Sequence, residues 1–291
     1  MITATTTPQP QPHPHPQSRP RPLPRPRARF GDLLAAEWIK FWSLRSTVWV
    51  LGLSALFVIA ANLKAARYTY DHYTVGDGDP ATMLQVALGD SFTMIAADVV
   101  MIVAGSVGAL ALVGEYASGL IRTTLVAVPD RRAVIAAKAC VLTAVMLGYG
   151  AVTAGVSFGA CQAVLADTHI GVSVTDPAAL RFVAAAALFA PVCALAGFAL
   201  GALIRHTAGA VVGTVLVLFF LPAFFNERYR WSADLLHAMP LQAWRRLAQV
   251  DLTHSLPSAH PATVAGSWAT FALWALASVL VAVAVVQRRD H

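Results

Sequence analysis

The chain has 291 residues, 57% of them hydrophobic and only 12% charged, with a mean hydropathy of +0.62 and a net charge of +6. Soluble proteins carry about 25% charged residues, so this composition excludes an ordinary water-soluble globule and points to an integral membrane protein. The pI of about 9.6 then reports which side of a bilayer the cations occupy, and it is not read as a nucleic-acid signal.

Residues 1–29 are mostly Pro, Arg, Gln and His. Such a segment cannot bury enough apolar surface to fold, so a disordered Pro/Arg-rich cytoplasmic tail is expected. It lacks the apolar core of a secretory signal peptide, and His13 and His15 read as solvated. From residue 30 the pattern changes. Phe30, Leu33, Leu34, Trp38 and Phe41 recur at helical spacing, with Asp32, Ala36, Lys40 and Ser43 opposite. That predicts an amphipathic helix over 30–45, lying in the cytoplasmic interface or simply anchoring the first span. Trp38, Trp42 and Trp49 suit the membrane–water boundary.

A spanning helix needs about 20 apolar residues. Six runs qualify: 46–63, 94–113, 139–165, 182–204, 208–225 and 264–286. The fourth and fifth are separated only by Arg205–His206–Thr207, which predicts a tight helical hairpin. An all-α membrane protein of six transmembrane helices follows, since an outer-membrane barrel would show short alternating segments instead. Placing the tail, the interfacial helix, Arg122, Arg131, Arg132, Lys138, Arg205, Arg288 and Arg289 on one side puts most of the 21 Lys and Arg there. The cation bias makes that side cytoplasmic, with both termini inside. Residues 288–291 form the short C-terminus, and the plasma membrane is the expected location.

The chain has no P-loop, because none of Lys40, Lys64 and Lys138 follows a glycine. Cys140, Cys161 and Cys193 all lie inside apolar runs without CxxC spacing and read as small hydrophobes. "GVSFG" at 155–159 formally matches a nucleophile elbow, but it falls mid-span, without the strand–turn–helix context that motif needs. With "GFALG" at 197–201 and "GAVVG" at 209–213, it reads as a small-residue packing face. No metal site, no cofactor and no catalytic residue is expected.

Asp98 stands within the second run. Two readings fit: it faces an aqueous pathway, as intramembrane acids tend to, or the second helix begins later and Asp98 is interfacial.

Between the second and third runs lies "VGEYASGLIRTTLVAVPDRRAVIAAK", Val113 to Lys138. Glu115 ends one apolar run, Lys138 opens the next, and "SGLIRTTL" has helical character that Pro129 breaks. A charged cytoplasmic element of this kind offers a surface on which a soluble partner can push. Arg122 is beyond the i,i+4 reach of Glu115, so Glu115 is expected to pair with that partner or with the interfacial helix, where Lys40 and Arg45 are candidates.

This stretch, with "AEWIKFWSLRST" before the first span, resembles the permease subunit of a type-2 ABC transporter. The matching positions are Gly114, Glu115, Gly119, Thr123, Pro129, Arg131 and Lys138, and upstream Glu37, Lys40, Arg45, Ser46 and Thr47. Arg122 and Arg132 complete the charged segment, and Trp38 belongs to the upstream helix. "MPLQAW", Met239 to Trp244, resembles a family Pro-x-x-Ala element late in the last outer loop. Leu120, where many members carry Thr or Ser, and the Pro/Arg tail depart from the pattern. The resemblance implies an exporter subunit without catalytic residues of its own. It implies an ATPase subunit docked on the cytoplasmic loops and a second permease copy, identical or not, framing the pathway. A non-transporting scaffold or regulatory subunit is the alternative. A secondary transporter would be expected to show repeated halves, which the six unequal runs do not.

Overall fold

A computed structural model describes residues 29–72, 80–117, 130–166, 171–249 and 261–289. The tail, 1–28, and the loop positions Gly119, Arg122, Thr123 and Pro129 lie outside the described residues. The described residues are all helix and connections, with no strand. In chain order the helices are α1 (Phe30–Ser43), α2 (Arg45–His72), α3 (Pro80–Ser91), α4 (Met94–Ala117), α5 (Arg131–Leu165) and α6 (Pro177–Ile204). There follow α7 (Thr207–Phe224), α8 (Arg230–His237), α9 (Pro240–Ala248) and α10 (Val264–Arg289). Six stretches are long and apolar enough to cross a bilayer: α2, α3–α4 from Thr82 to Tyr116, α5, α6, α7 and α10. That is the mark of a multi-pass membrane protein.

The apolar runs underestimate these helices. α5 starts at Arg131, eight residues before its apolar run, because Asp130 caps it by accepting from the backbone N–H groups of Arg132 (3.1 Å) and Ala133 (3.2 Å). At 35 residues it is about 52 Å long, so it projects well beyond a hydrocarbon core of about 30 Å. α2 likewise runs on to His72, nine residues past the end of its apolar run.

The bundle is organised around α6, which packs against α4, α5, α7, α9 and α10. Small residues permit this. On α4, Gly105, Gly108 and Ala109 face Ala194, Gly197 and Gly201 of α6, and a Cβ on Gly108 would overlap the Ala194 carbonyl. Gly197 meets the Gly105 carbonyl in the same way, and Gly150 of α5 meets that of Ala187. Lipid offers no hydrophobic drive between helices, so close backbone approach supplies the contact energy. The "GFALG" glycines thus pack as expected, and Gly209 and Gly213 touch Ile204. "GVSFG" does not: Gly155 and Gly159 are exposed with nothing near their missing Cβ atoms. Helical phase, which sequence spacing alone did not fix relative to neighbours, turns them outward.

At the predicted hairpin, α6 ends at Ile204. Arg205 adopts a left-handed conformation (φ 55°), and His206 caps α7 by accepting from Gly209 N–H at 3.2 Å.

Three helices were not evident in the sequence. α3 is separated from α4 by Phe92 and Thr93, and this break is held by Asn62 of α2, which is fully buried. Asn62 Oδ1 accepts from Thr93 N–H (3.0 Å) and Thr93 Oγ1–H (2.9 Å), while its Nδ2 donates to Ser157 Oγ of α5 (3.0 Å). α8 and α9 occupy what reads in sequence as an outer loop. α9, which contains most of "MPLQAW", is docked by Trp244, whose ring sits 5.6 Å from Phe92 and 5.9 Å from Phe189. Its C-terminal carbonyls are covered by Arg181, which donates to Leu247 O and Gln249 O. A nine-residue helix falls short of any spanning-length test, which is why this element escaped it.

Candidate functional site: a four-charge cluster joining three helices

At one end of the bundle, α1 lies across α5 and brings together charges that are far apart in sequence. Leu33 packs with Val134 and Ala137, which fixes the crossing and turns Glu37, one helical turn on, toward α5. Glu37 is therefore buried, at 5% exposure. This changes the expected face of α1: its packed side centres on Leu33 and Glu37, while Trp38 is 47% exposed.

Glu37 Oε1 accepts from Lys40 Nζ at 2.7 Å, and Oε2 accepts from Lys138 Nζ at 2.5 Å. Glu115 Oε1 accepts from Lys138 at 2.8 Å and from Lys40 at 3.1 Å. Two carboxylates and two ammonium groups thus alternate around a closed, formally neutral ring. Glu37, Glu115 and Lys138 are buried, and Lys40 is the member in contact with solvent. Isolated, each buried charge would be costly. Together they satisfy one another, although such clusters add little net stability over apolar packing and chiefly fix which surfaces meet.

Burial works against the charge on Lys40, but hydrogen bonds and attraction from Glu37 and Glu115 outweigh it and raise its pKa above 10.5. A raised lysine contributes stability that is complete below its unfolded pKa and lost as pH rises through the folded one. The Lys40 contribution therefore holds across neutral pH and disappears only above pH 10.5.

The ring joins three segments: α1, the end of α4 and the start of α5. The last two flank residues 118–129 directly. Beside it, Tyr116 lies under Arg205, whose guanidinium carbon is 4.6 Å from the ring centroid. This cation–π contact extends the cluster to the α6–α7 corner.

Of the residues singled out from sequence, Glu37, Lys40, Glu115 and Lys138 come together. Of the two cations considered for Glu115, Lys40 makes the contact, while Arg45 opens α2 as an exposed residue. Arg131 and Arg132 form the first turn of α5 below the ring. Asp98 belongs to a different region, about 25 Å along α4 from Glu115 at the helical rise. It lies in the second turn of α4, half-buried, within electrostatic reach of Arg245 on α9.

The pairing of Glu37 with Lys138, 101 residues apart, and the Arg205–Tyr116 contact were not anticipated. A usable signal existed for half of the first: Glu115 and Lys138 are charges at the ends of apolar runs, where each requires a partner, whereas Glu37 lies inside an amphipathic helix and carries no such mark. Nothing in the sequence pointed to Arg205 and Tyr116. Compared with models of known families and with curated proteins, the chain matches none.

Proposed function

We propose that this chain is the membrane-spanning permease subunit of an ATP-driven exporter of the type-2 ABC kind. It lies in the plasma membrane with both termini cytoplasmic and works with a separate ATPase subunit and a second permease copy. One observation carries the reading: the four-charge ring fastens α1 to both helix ends that flank 118–129. A partner pushing on that segment would displace α4, α5 and α1 as one body, not as three loosely linked parts. ATP-driven approach of two such partners would then tilt α4 and α5 against the rest of the bundle. Cargo would bias the resulting inward–outward equilibrium only through its different affinity for the two states.

The test is co-expression of the tagged full chain with the ABC ATPase subunits of its own genome, followed by purification and reconstitution. Expected are a stable complex and ATP hydrolysis above that of the ATPase alone. Recovery of a well-folded chain that neither binds nor stimulates the ATPase would replace this reading with that of a non-transporting scaffold.

Orientation has its own test. Reporter insertions at Asp77, Thr175 and Arg228 are expected to read outside, and a fusion after His291 inside. A cytoplasmic signal at Thr175 would overturn the assigned orientation.

A further inference from the structure

Arg205 stands just past the end of α6 with φ 55° and ψ 7°, in the left-handed region. Glycine is the usual residue at such a position, because a Cβ crowds the following carbonyl. Among the described residues, no other non-glycine has a positive φ. A costly backbone conformation persists only where the surroundings impose it, and such positions cluster at switch regions. The side chain shows what imposes it here. Its guanidinium lies over Tyr116 at the end of α4, 4.6 Å from the ring centroid, and its Nε and Nη2 are shielded from solvent.

Tyr116 directly follows Glu115, so the last turn of α4 makes two links in different directions. Glu115 ties α4 to Lys40 of α1 and Lys138 of α5, and Tyr116 ties it to the α6–α7 corner. The first link stays within the helices that tilt in the proposed mechanism. The second crosses from them to the rest of the bundle. α4 and α6 approach most closely where Gly105 and Gly108 meet Gly197 and Ala194. Tyr116 and Arg205 lie eight residues, or about 12 Å, beyond Gly108 and Gly197. A tilt of about 10° at that crossing would move one end about 2 Å from the other, enough to end a contact that reaches about 6 Å.

We propose that Arg205 and Tyr116 form a latch that holds the end of α4 against the α6–α7 corner and opens when α4 and α5 tilt. The inference rests on the proposed tilt of those helices, and its test needs no ATPase.

Cys193 of α6 reports the opening. It is fully buried, lies one turn before Gly197 on the same face, and its carbonyl is 3.6 Å from where a Gly105 Cβ would stand. Cys161 is also buried, but among Ala66, Ala87 and Leu165, away from the α4–α6 crossing. The full chain, with the exposed Cys140 replaced by Ala, is purified in detergent and treated with N-ethylmaleimide. Labelling of each thiol is followed by peptide mass. Arg205→Gly suits the left-handed backbone and removes the cation, and Tyr116→Leu removes the ring. Each is expected to speed Cys193 labelling about fivefold, the worth of one cation–π contact, and to leave Cys161 unchanged. The double variant should label no faster than either single one, and Tyr116→Phe, which keeps the ring, should match the wild type. Unchanged Cys193 rates in the single variants would overturn the proposal. So would equal acceleration of Cys161, which marks general loosening, multiplied effects in the double variant, or a Tyr116→Phe rate equal to that of Tyr116→Leu. A chain that binds no ATPase yet shows the expected rates keeps the latch and loses only the transporter reading.

Discussion

Gly108→Val is expected to abolish recovery of a folded protein, whereas Gly155→Val leaves yield and thermal stability close to wild type. Both glycines lie mid-helix in apolar runs and the substitution is the same, so the difference isolates packing. At Gly108 the first added carbon overlaps the carbonyl of Ala194, a backbone atom that cannot rotate away. α4 and α6 would have to separate, opening the contact on which the bundle is centred. Overpacking commonly costs about 1–3 kcal/mol. A backbone collision at a central helix crossing belongs in the range above about 4 kcal/mol, exceptional for single substitutions. At Gly155 nothing stands within 4 Å, so the added side chain projects outward. Detergent extraction with size-exclusion profiles and melting curves reads the outcome. A monodisperse Gly108→Val protein melting with the wild type would refute the close approach of α4 and α6.

Lys138→Met is expected to destabilise the chain by about 3–5 kcal/mol, the usual consequence of removing one partner of a buried ion pair. Lys138 is the centre of the ring: it donates to both Glu37 and Glu115. Its loss leaves two buried carboxylates sharing Lys40, whose side chain is 38% exposed. Lys40→Met should cost less, about 0–1 kcal/mol, because solvent already screens that member. The pair Glu37→Gln with Lys138→Met should recover part of the loss, with a coupling of about 0.5–3 kcal/mol for groups in direct contact. Glu115→Gln keeps shape, leaves Lys138 paired with Glu37, and is expected to cost about 1.5–3 kcal/mol. Under the proposed function it should also weaken ATPase stimulation in protein that still inserts. Additive Glu37 and Lys138 effects would show that the two do not interact, and the ring would then not fasten α1.

How much of this could be read beforehand differs from element to element. The six spans were legible because a bilayer requires long apolar runs and leaves few alternatives for the backbone. The amphipathic helix before them was legible from its apolar spacing, and the α6–α7 hairpin from the three residues between two runs. Charged ends were not: α5 starts at Arg131 because Asp130 caps it, a local signal outside any hydropathy window. α9 was missed because nine residues cannot register as a span, although its Trp244 is buried in the core.

The site shows the same division. Sequence by itself determined that Glu115 and Lys138 stand at the margins of apolar runs and that Glu115 needs a partner, in a chain with only 12% charged residues. It also offered Gly197 and Gly201 as a small-residue packing face, while the part of Gly105 and Gly108 on α4 came only from the structure. Only the tertiary structure decided that Glu37 turns inward while Trp38 stays exposed, that Lys138 is shared between two carboxylates, and that Gly155 packs against nothing. The physical reason is that hydropathy and helical period are properties of one segment, whereas helix phase and ion pairing depend on where a second helix crosses it. That crossing is set by small-residue contacts and by Leu33 against Val134 and Ala137, which no single segment encodes.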